Sequence, residues 1–496
     1  MKTFLNLLCF VALIASSSRA LRAATPAANA TASAALIVTP DRGFLGNEEI
    51  RDACDAFAAG RPVEIVTVTD ERTRATLDRA VQRLRATGVR KFIVLPLFLS
   101  ASDPKWALAR KYLGELPADS VSFGQLFGQS YLAAELLADR FRAIHDPAGR
   151  DVLVVGYGAT DAESRRQLEA DGQRVADLAA QGFGFKSVKA IVWPRRSPSQ
   201  SVALVSEVKR TLTESAKAGD HVAVVPFALG SKLDSMMNFN ASLRSQLPAG
   251  AELIDGDITP HPAVSTWMAR EWNRGTPLRA ADFGFVFLAH GADYHWNETM
   301  RDNIAPLTER YKIEFAFSMA DQPTIERAVR RLEQRGARAI TIVRVFGLAA
   351  SFRPDVERMI GADVEHALAS ASVSAADAAA HRHGSHSTPP ASAGHGHGGH
   401  HGPAAGPPPR IRSSAVLTTG GGMEDHRYFA QALLERAKAL SKDPSGETVI
   451  LVAHGAGDDP GNDHWRRLLA SLTEQMRANG GANLSRQSSC PLKTTQ

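Results

Sequence analysis

Two separate stretches of this sequence end an apolar run on the same pair of residues. One reads Phe-Leu-Ala-His290-Gly-Ala-Asp293-Tyr-His295; the other reads Leu-Val-Ala-His454-Gly-Ala-Gly-Asp458-Asp459, with His464 further on. An imidazole at a strand end titrates near neutrality and is a ready metal ligand or proton acceptor. The same side chain can do no more than cap its turn through hydrogen bonds, but recurrence of the pattern favours chemistry at both places. The matching turns nearer the N-terminus read Ile-Val-Thr39-Pro-Asp-Arg-Gly and Val-Gly-Tyr157-Gly-Ala-Thr. With Thr39 and Tyr157 in place of the histidine, those two units are expected to be structural.

A second concentration of imidazoles lies in HRHGSHSTPPASAGHGHGGHH, which holds His381, His383, His386, His395, His397, His400 and His401. Clustered imidazoles on a chain this poor in apolar residues suit nickel, cobalt, copper or zinc. The expectation is a metal store or delivery arm, the alternative a passive spacer. The surrounding residues 369–410 cannot bury a core and are expected to be a disordered insert.

Other chemistries are missing from the sequence. It has no G-x-S-x-G nucleophile elbow, Walker A loop, H-E-x-x-H or dinucleotide-binding glycine fingerprint. The 496 residues include 57 Lys+Arg against 52 Asp+Glu, and the resulting net charge of +5 is too thin to argue nucleic-acid binding. Three cysteines exclude a disulfide framework or a Cys-rich zinc site. The hydrophobic fraction of 44% and charged fraction of 22% are those of an ordinary globular protein.

Those histidines need strands to carry them. β-branched runs recur at 35–39, 63–68, 92–99 and 120–127, at 152–158, 187–194, 221–229 and 251–257, and at 283–289, 313–319, 339–348 and 414–419. They lack polar alternation, as strands buried on both faces of a parallel sheet do. Between them lie helix-period segments such as TIERAVRRLEQRG, which stops at Gly336. The fold class is therefore α/β, with repeated lobes that each hold a four-stranded parallel sheet flanked by helices. The lobes are expected at 35–150, 151–281, and 282–368 plus 411–446. A fourth opens at 447 with ETVILVAHGAG and a helix, contributes one strand of an expected four, and reads as truncated at 496. Its open sheet edge could invite a homodimer.

Ligands of open parallel sheets bind outside the carboxyl ends of the strands, which makes the third strand of each unit informative as well. FIVLPLFLSASDP (92–104), VAVVPFALGSKLD (222–234) and ITIVRVFGLAASF (340–352) all run into small-residue loops, and Pro96 and Pro226 close their ladders. These loops could admit the backbone close to a ligand or could simply turn the chain.

At the N-terminus, Lys2, the apolar run Phe4 to Ala15 and Ser18-Arg19-Ala20 have the layout of an export signal. A run this short falls below the roughly 20 residues that span a bilayer. Residues 1–20 are expected to be removed on export to a periplasmic or extracellular location, with 21–34 as a flexible leader. No later segment is long and apolar enough for a membrane span.

The strand–His-Gly–helix pattern, PTIERAVRRLEQRGARAITIV leading into the third strand, VLPLFLS (94–100) and VAHG (452–455) together resemble the sirohydrochlorin cobaltochelatases, the CbiX-type class II chelatases. The best-matching segments are 35–104, 283–352 and 447–456. A His-rich tract is also seen in that family. The resemblance implies α/β lobes around a tetrapyrrole cleft and insertion of a divalent metal, cobalt most of all, with nickel or iron in relatives. The metal is a substrate, and no organic cofactor is implied. His290 and His454 match the family's HG histidine, which binds the metal and accepts pyrrole protons. Arg344 and Arg353 are candidates for holding the carboxylates of sirohydrochlorin. The family's second histidine would fall near Pro104, Asp234 or Phe352, none of them a histidine. The implied organisation is two paired chelatase-like domains, the first without a catalytic histidine. The alternative is an exported, non-enzymatic relative that binds metal or tetrapyrrole.

Overall fold

The computed structural model describes residues 33–194, 206, 210, 213, 214, 222–230, 239–247, 250–254, 256, 258–377, 406–443, 446–453, 455, 456, 459–480 and 487–491. The first lobe runs β1 (Ser33–Pro40), α1 (Gly43–Ala58), β2 (Val63–Val68), α2 (Arg72–Ala86), β3 (Lys91–Pro96), α3 (Pro104–Leu113), β4 (Val121–Phe123) and α4 (Tyr131–Arg142). The second comprises β5 (Asp151–Ala159), α5 (Ala162–Ala180), β6 (Ser187–Pro194), β7 (Ala223–Pro226), α6 (Phe239–Arg244), β8 (Glu252–Leu253) and α7 (Pro262–Gly275). The third holds β9 (Phe283–Ala289), α8 (Tyr294–Ile304), β10 (Lys312–Phe317), α9 (Gln322–Gln334), β11 (Ala339–Val345), α10 (Arg353–Met359), α11 (Ala362–Asp377), β12 (Val416–Gly421) and α12 (Arg427–Leu440). The fourth has β13 (Val449–Ala453), α13 (Asp459–Gly480) and β14 (Gln487–Pro491).

Three four-stranded sheets, all parallel, repeat one strand order: β2-β1-β3-β4, β6-β5-β7-β8 and β10-β9-β11-β12. In each, the order reverses between the first and third strands. That is where a parallel sheet opens a crevice at its carboxyl edge. In the third sheet the crevice lies between β9 and β11, paired in register from Phe283↔Ala339 to Ala289↔Val345.

Local sequence explains the elements that set this edge. Helix α9 begins where Asp321 accepts from the Thr324 amide and Pro323 occupies the first turn. It buries Ile325, Ala328, Val329 and Leu332, one face of a 3.6-residue period, and ends before Gly336 at φ 79°. In the first sheet β1 and β3 are buried almost throughout, as their unbroken apolar runs predict. β11 differs. Ile340, Ile342 and Arg344 are buried, whereas Thr341, Val343 and Val345 are only half-buried. The physical reason is coverage. The first sheet shares a core with α4, α5 and α7, whereas the half-buried face of the third meets α8 and the turn after it.

Several expected boundaries move. β1 starts at Ser33, inside the expected leader. The strands expected at 120–127 and 251–257 shorten to Val121–Phe123 and Glu252–Leu253. The insert expected over 369–410 is structured at both ends. Helix α11 continues to Asp377, and residues 409–415 run along α9, with Pro409 accepting from Gln322 and Glu333 accepting from the Ser413, Ser414 and Ala415 groups. The fourth unit holds two strands where one was expected, because Gln487–Pro491 pairs in parallel with Val449–Ala453. That segment is polar, so apolar patterning could not reveal it; backbone pairing against β13 forms it.

Candidate functional site

His290 is the first residue beyond β9 and is exposed at the crevice. Its Nδ1 lies 2.9 Å from the Gly291 carbonyl oxygen. A carbonyl only accepts, so Nδ1 carries the hydrogen and Nε2 keeps its lone pair. Such a tautomer suits a metal ligand or a proton acceptor. Gly291 is required beside it. Its φ is 77°, and a Cβ there would sit 2.8 Å from the Phe317 Cβ. The turn is closed by Asn297, whose Oδ1 accepts from the Ala292 amide at 3.2 Å.

The same closure recurs. Asn47 accepts from the Arg42 amide at 2.8 Å, and Asn462 accepts from the Ala456 amide at 2.9 Å. Gly455 repeats the positive φ of Gly291, at 78°. These asparagines were legible as a repeated residue shortly after each turn, a signal that reading for histidines alone passes over. They also correct one assignment. Arg42 is equivalent to Ala292, so the position of His290 is filled in the first lobe by Pro40 and not by Thr39. Strand register agrees, since Val38↔Pro96 corresponds to Leu288↔Arg344. In the second lobe Val155↔Pro226 puts Tyr157 at that position, as expected.

The crevice between the first two lobes is narrowed by Arg42 but keeps a cavity lined by Pro40, Arg42, Ser100, Asp103, Gly156 and Tyr157. The Arg42 guanidinium lies 5.1 Å from the Tyr157 ring centroid, and Arg42 is buried. A Cβ on Gly230 would come within 2.9 Å of the Arg42 side chain. Around His290, by contrast, apolar groups face solvent: Tyr294 is 72% exposed, Met319 52% and Trp296 42%. Trp296 rests edge-on against Phe317, and Arg301 lies over Phe315 and Phe317. The end of the third sheet thus offers exposed apolar side chains beside an oriented imidazole.

Arg344, at the end of β11, is 3% exposed. Its Nη1 donates to the Ala349 and Ser351 carbonyls and its Nε to Thr419. It therefore braces the loop that follows its own strand. Burial, with the neighbouring Arg353 charge adding to it, lowers its pKa from the usual arginine value. Arg353 is exposed and paired with Glu357 at 2.7 Å.

Beyond β12, the Glu424 amide donates to the Gly347 carbonyl, and its Oε1 accepts from the Ala349 amide. Its Oε2 is 2.9 Å from Nε2 of His464 on α13. His261 and His426 are instead spent as helix caps, accepting from Ala263 and Tyr428. His454 and the seven histidines His381, His383, His386, His395, His397, His400 and His401 lie outside the described residues. Among the described residues no group of three or more His, Cys, Asp or Glu is assembled to hold a metal ion, and no helix is long and apolar enough to cross a membrane.

Residues 44–144 and 284–388 match the CbiX family model. The two matches fall on the first and third lobes. Solved structures similar to the chain include the sirohydrochlorin chelatase SirB from Bacillus subtilis subspecies spizizenii in complex with cobalt, at 18% identity over 48% of this chain and 93% of that one, with a TM-score of 0.32. SirB from Bacillus subtilis with Fe3+ matches at 16% identity over 49% and 95%, with a TM-score of 0.34. Unliganded arylmalonate decarboxylase matches at 13% identity over 50% and 96%, with a TM-score of 0.16. No curated protein sequence matches the chain. The second CbiX match contains β10, α9, β11 and α10 whole, together with His290, Arg344 and Arg353.

Proposed function

We propose that this chelatase-like chain inserts a divalent cation into sirohydrochlorin or a related tetrapyrrole, cobalt foremost and nickel or iron after it, as in cobalamin-type biosynthesis. The observation that carries this reading is His290: an exposed imidazole, its Nδ1–H held by Gly291, beside the solvent-facing Tyr294, Trp296 and Met319. A macrocycle packs against these apolar side chains, and the Nε2 lone pair meets the metal or a pyrrole N–H. Two N–H protons leave as a divalent ion enters, so charge is conserved without any oxidant. His454, on the equivalent turn of the fourth lobe, is the partner ligand in this reading. The exposed Arg353 attracts the substrate carboxylates, whereas Arg344, expected beside it, is buried and holds the loop after β11; the tract from His381 to His401 supplies metal to the site. We further propose that the protein is exported, on the basis of the signal-like residues 1–20.

The test is anaerobic metallation of sirohydrochlorin by Co²⁺, followed by absorbance, with the whole chain and with a chain lacking residues 381–401. Both should exceed the uncatalysed rate. His290→Ala should lose at least about 100-fold of the acceleration while melting as the parent does; full activity in that variant rejects the assignment. A protein that binds cobalt and never metallates the ring would instead be the non-enzymatic relative.

A further inference from the structure

We propose that His464, set in one tautomer by Glu424, is a second proton acceptor on the crevice of the third sheet. The inference rests on the function proposed above and names a residue for it that lies outside both CbiX segments.

Three observations converge on this histidine. The first is its orientation. Glu424 Oε2 stands 2.9 Å from Nε2, and a carboxylate at neutral pH only accepts. The hydrogen therefore sits on Nε2, and Nδ1 keeps its lone pair, the mirror of His290, where Gly291 takes the Nδ1 hydrogen. The side chain of His464 is 44% exposed.

The second is rigidity. Glu424 is held by its own amide on the Gly347 carbonyl and by its Oε1 on the Ala349 amide. It adopts φ 46°, a left-handed conformation that a non-glycine residue keeps only when its surroundings fix it. Ala349 is in turn gripped through its carbonyl by the buried Arg344. The chain of contacts Arg344–Ala349–Glu424–His464 is continuous from the floor of the sheet to α13. Gly347 adds to it, since a Cβ there would come 2.7 Å from the Trp465 ring.

The third is place. The loop from Phe346 follows β11, the direct neighbour of β9, and Glu424 follows β12, the next strand over. Glu424, which holds His464, thus follows the strand two spacings, on the order of 10 Å, from the one that carries His290. In the proposed step one ring N–H bond breaks, its electron pair remains on nitrogen and binds the entering cation, and the proton passes to Nδ1 of His464. Nε2 of His290 takes the second proton.

The full-length chain is assayed for Co²⁺ insertion into sirohydrochlorin as His464→Gln, Glu424→Gln and Glu424→Asp, beside the parent and His290→Ala, with a thermal melt of each. His464→Gln should lower kcat by about 100-fold with KM for the tetrapyrrole within about twofold. Glu424→Gln decides between a clamp and a tautomer. The amide can still hydrogen-bond the ring, so a clamp would survive, but it no longer imposes the Nε2–H form. The expected result is a fall of about tenfold in kcat at unchanged melting temperature, partly restored in Glu424→Asp. Parent-like kcat in His464→Gln, or in a folded Glu424→Gln, overturns the proposal while leaving the function intact if His290→Ala is inactive. A parent chain that never metallates the ring overturns both.

Discussion

His290 and Gly291 act as one device, because the glycine both accepts the Nδ1 hydrogen and turns the chain where no side chain fits. Replacing Gly291 by Ala forces a left-handed residue and a methyl group against the Phe317 Cβ. The strain should cost on the order of 1–2 kcal/mol, and the displaced imidazole should lower metallation at least tenfold. Chemical denaturation and the metallation assay together check this; an unchanged rate would show that the turn does not position His290. Asn297 belongs to the same device. The pattern His-Gly was readable from residue types alone, but the tautomer was not, since it depends on which atom of the folded chain stands 2.9 Å from the ring.

At the level of elements, the fourth unit is attached mainly through α13. Leu468, Leu472 and Met476 bury against Ala430 and Leu434 of α12, with Trp465 at the end of the seam. The same arrangement joins the first two lobes, where α5 packs on α4. Leu472→Ala should destabilise this seam by about 2–5 kcal/mol and loosen His464 from Glu424. Hydrogen exchange should then rise across α12 and α13 and stay unchanged in α9. Equal exchange across all three helices would mean that α13 is not a separate cooperative unit. Strand periods predicted twelve strands in three lobes and the order of the units, because apolar burial is a local signature. β14 escaped that reading because polar residues form a strand there only through pairing with β13.

In the whole molecule, the third lobe is fastened to the first two by charge. Glu135, fully buried, faces Arg410 at 3.2 Å, with Arg142 and Arg412 each at 3.5 Å. Arg270 bonds Glu365, and the Tyr131 hydroxyl donates to the Ile411 carbonyl. Asp139 belongs to this junction. Burial alone would raise its carboxyl pKa, but hydrogen bonds from His261 and Arg412 and the charges of Arg412 and Arg142 outweigh it and hold it well below the usual carboxylate range. A depressed carboxylate stabilises the fold above its unfolded value of about 3.9, and that contribution is lost as pH falls through the lower folded value. Melting temperatures from pH 6 down to pH 3 should therefore drop less steeply below pH 4 in Asp139→Asn than in the parent, with the variant the less stable at pH 6. Parallel curves would remove Asp139 from the acid response.

The sequence by itself determined the α/β class, the repeated units, the His-Gly turns and the places of most strands, because each is written in neighbouring residues through burial period and turn chemistry. Only the tertiary structure decided what surrounds each turn. Arg42 lies against Tyr157 and narrows the first crevice, and exposed Tyr294, Trp296 and Met319 flank the His290 turn. It also decided that Arg344 grips a loop and that Glu424 meets His464 across 40 residues of chain. These are contacts between elements distant in sequence, and their energies depend on distance and burial, which no local pattern encodes.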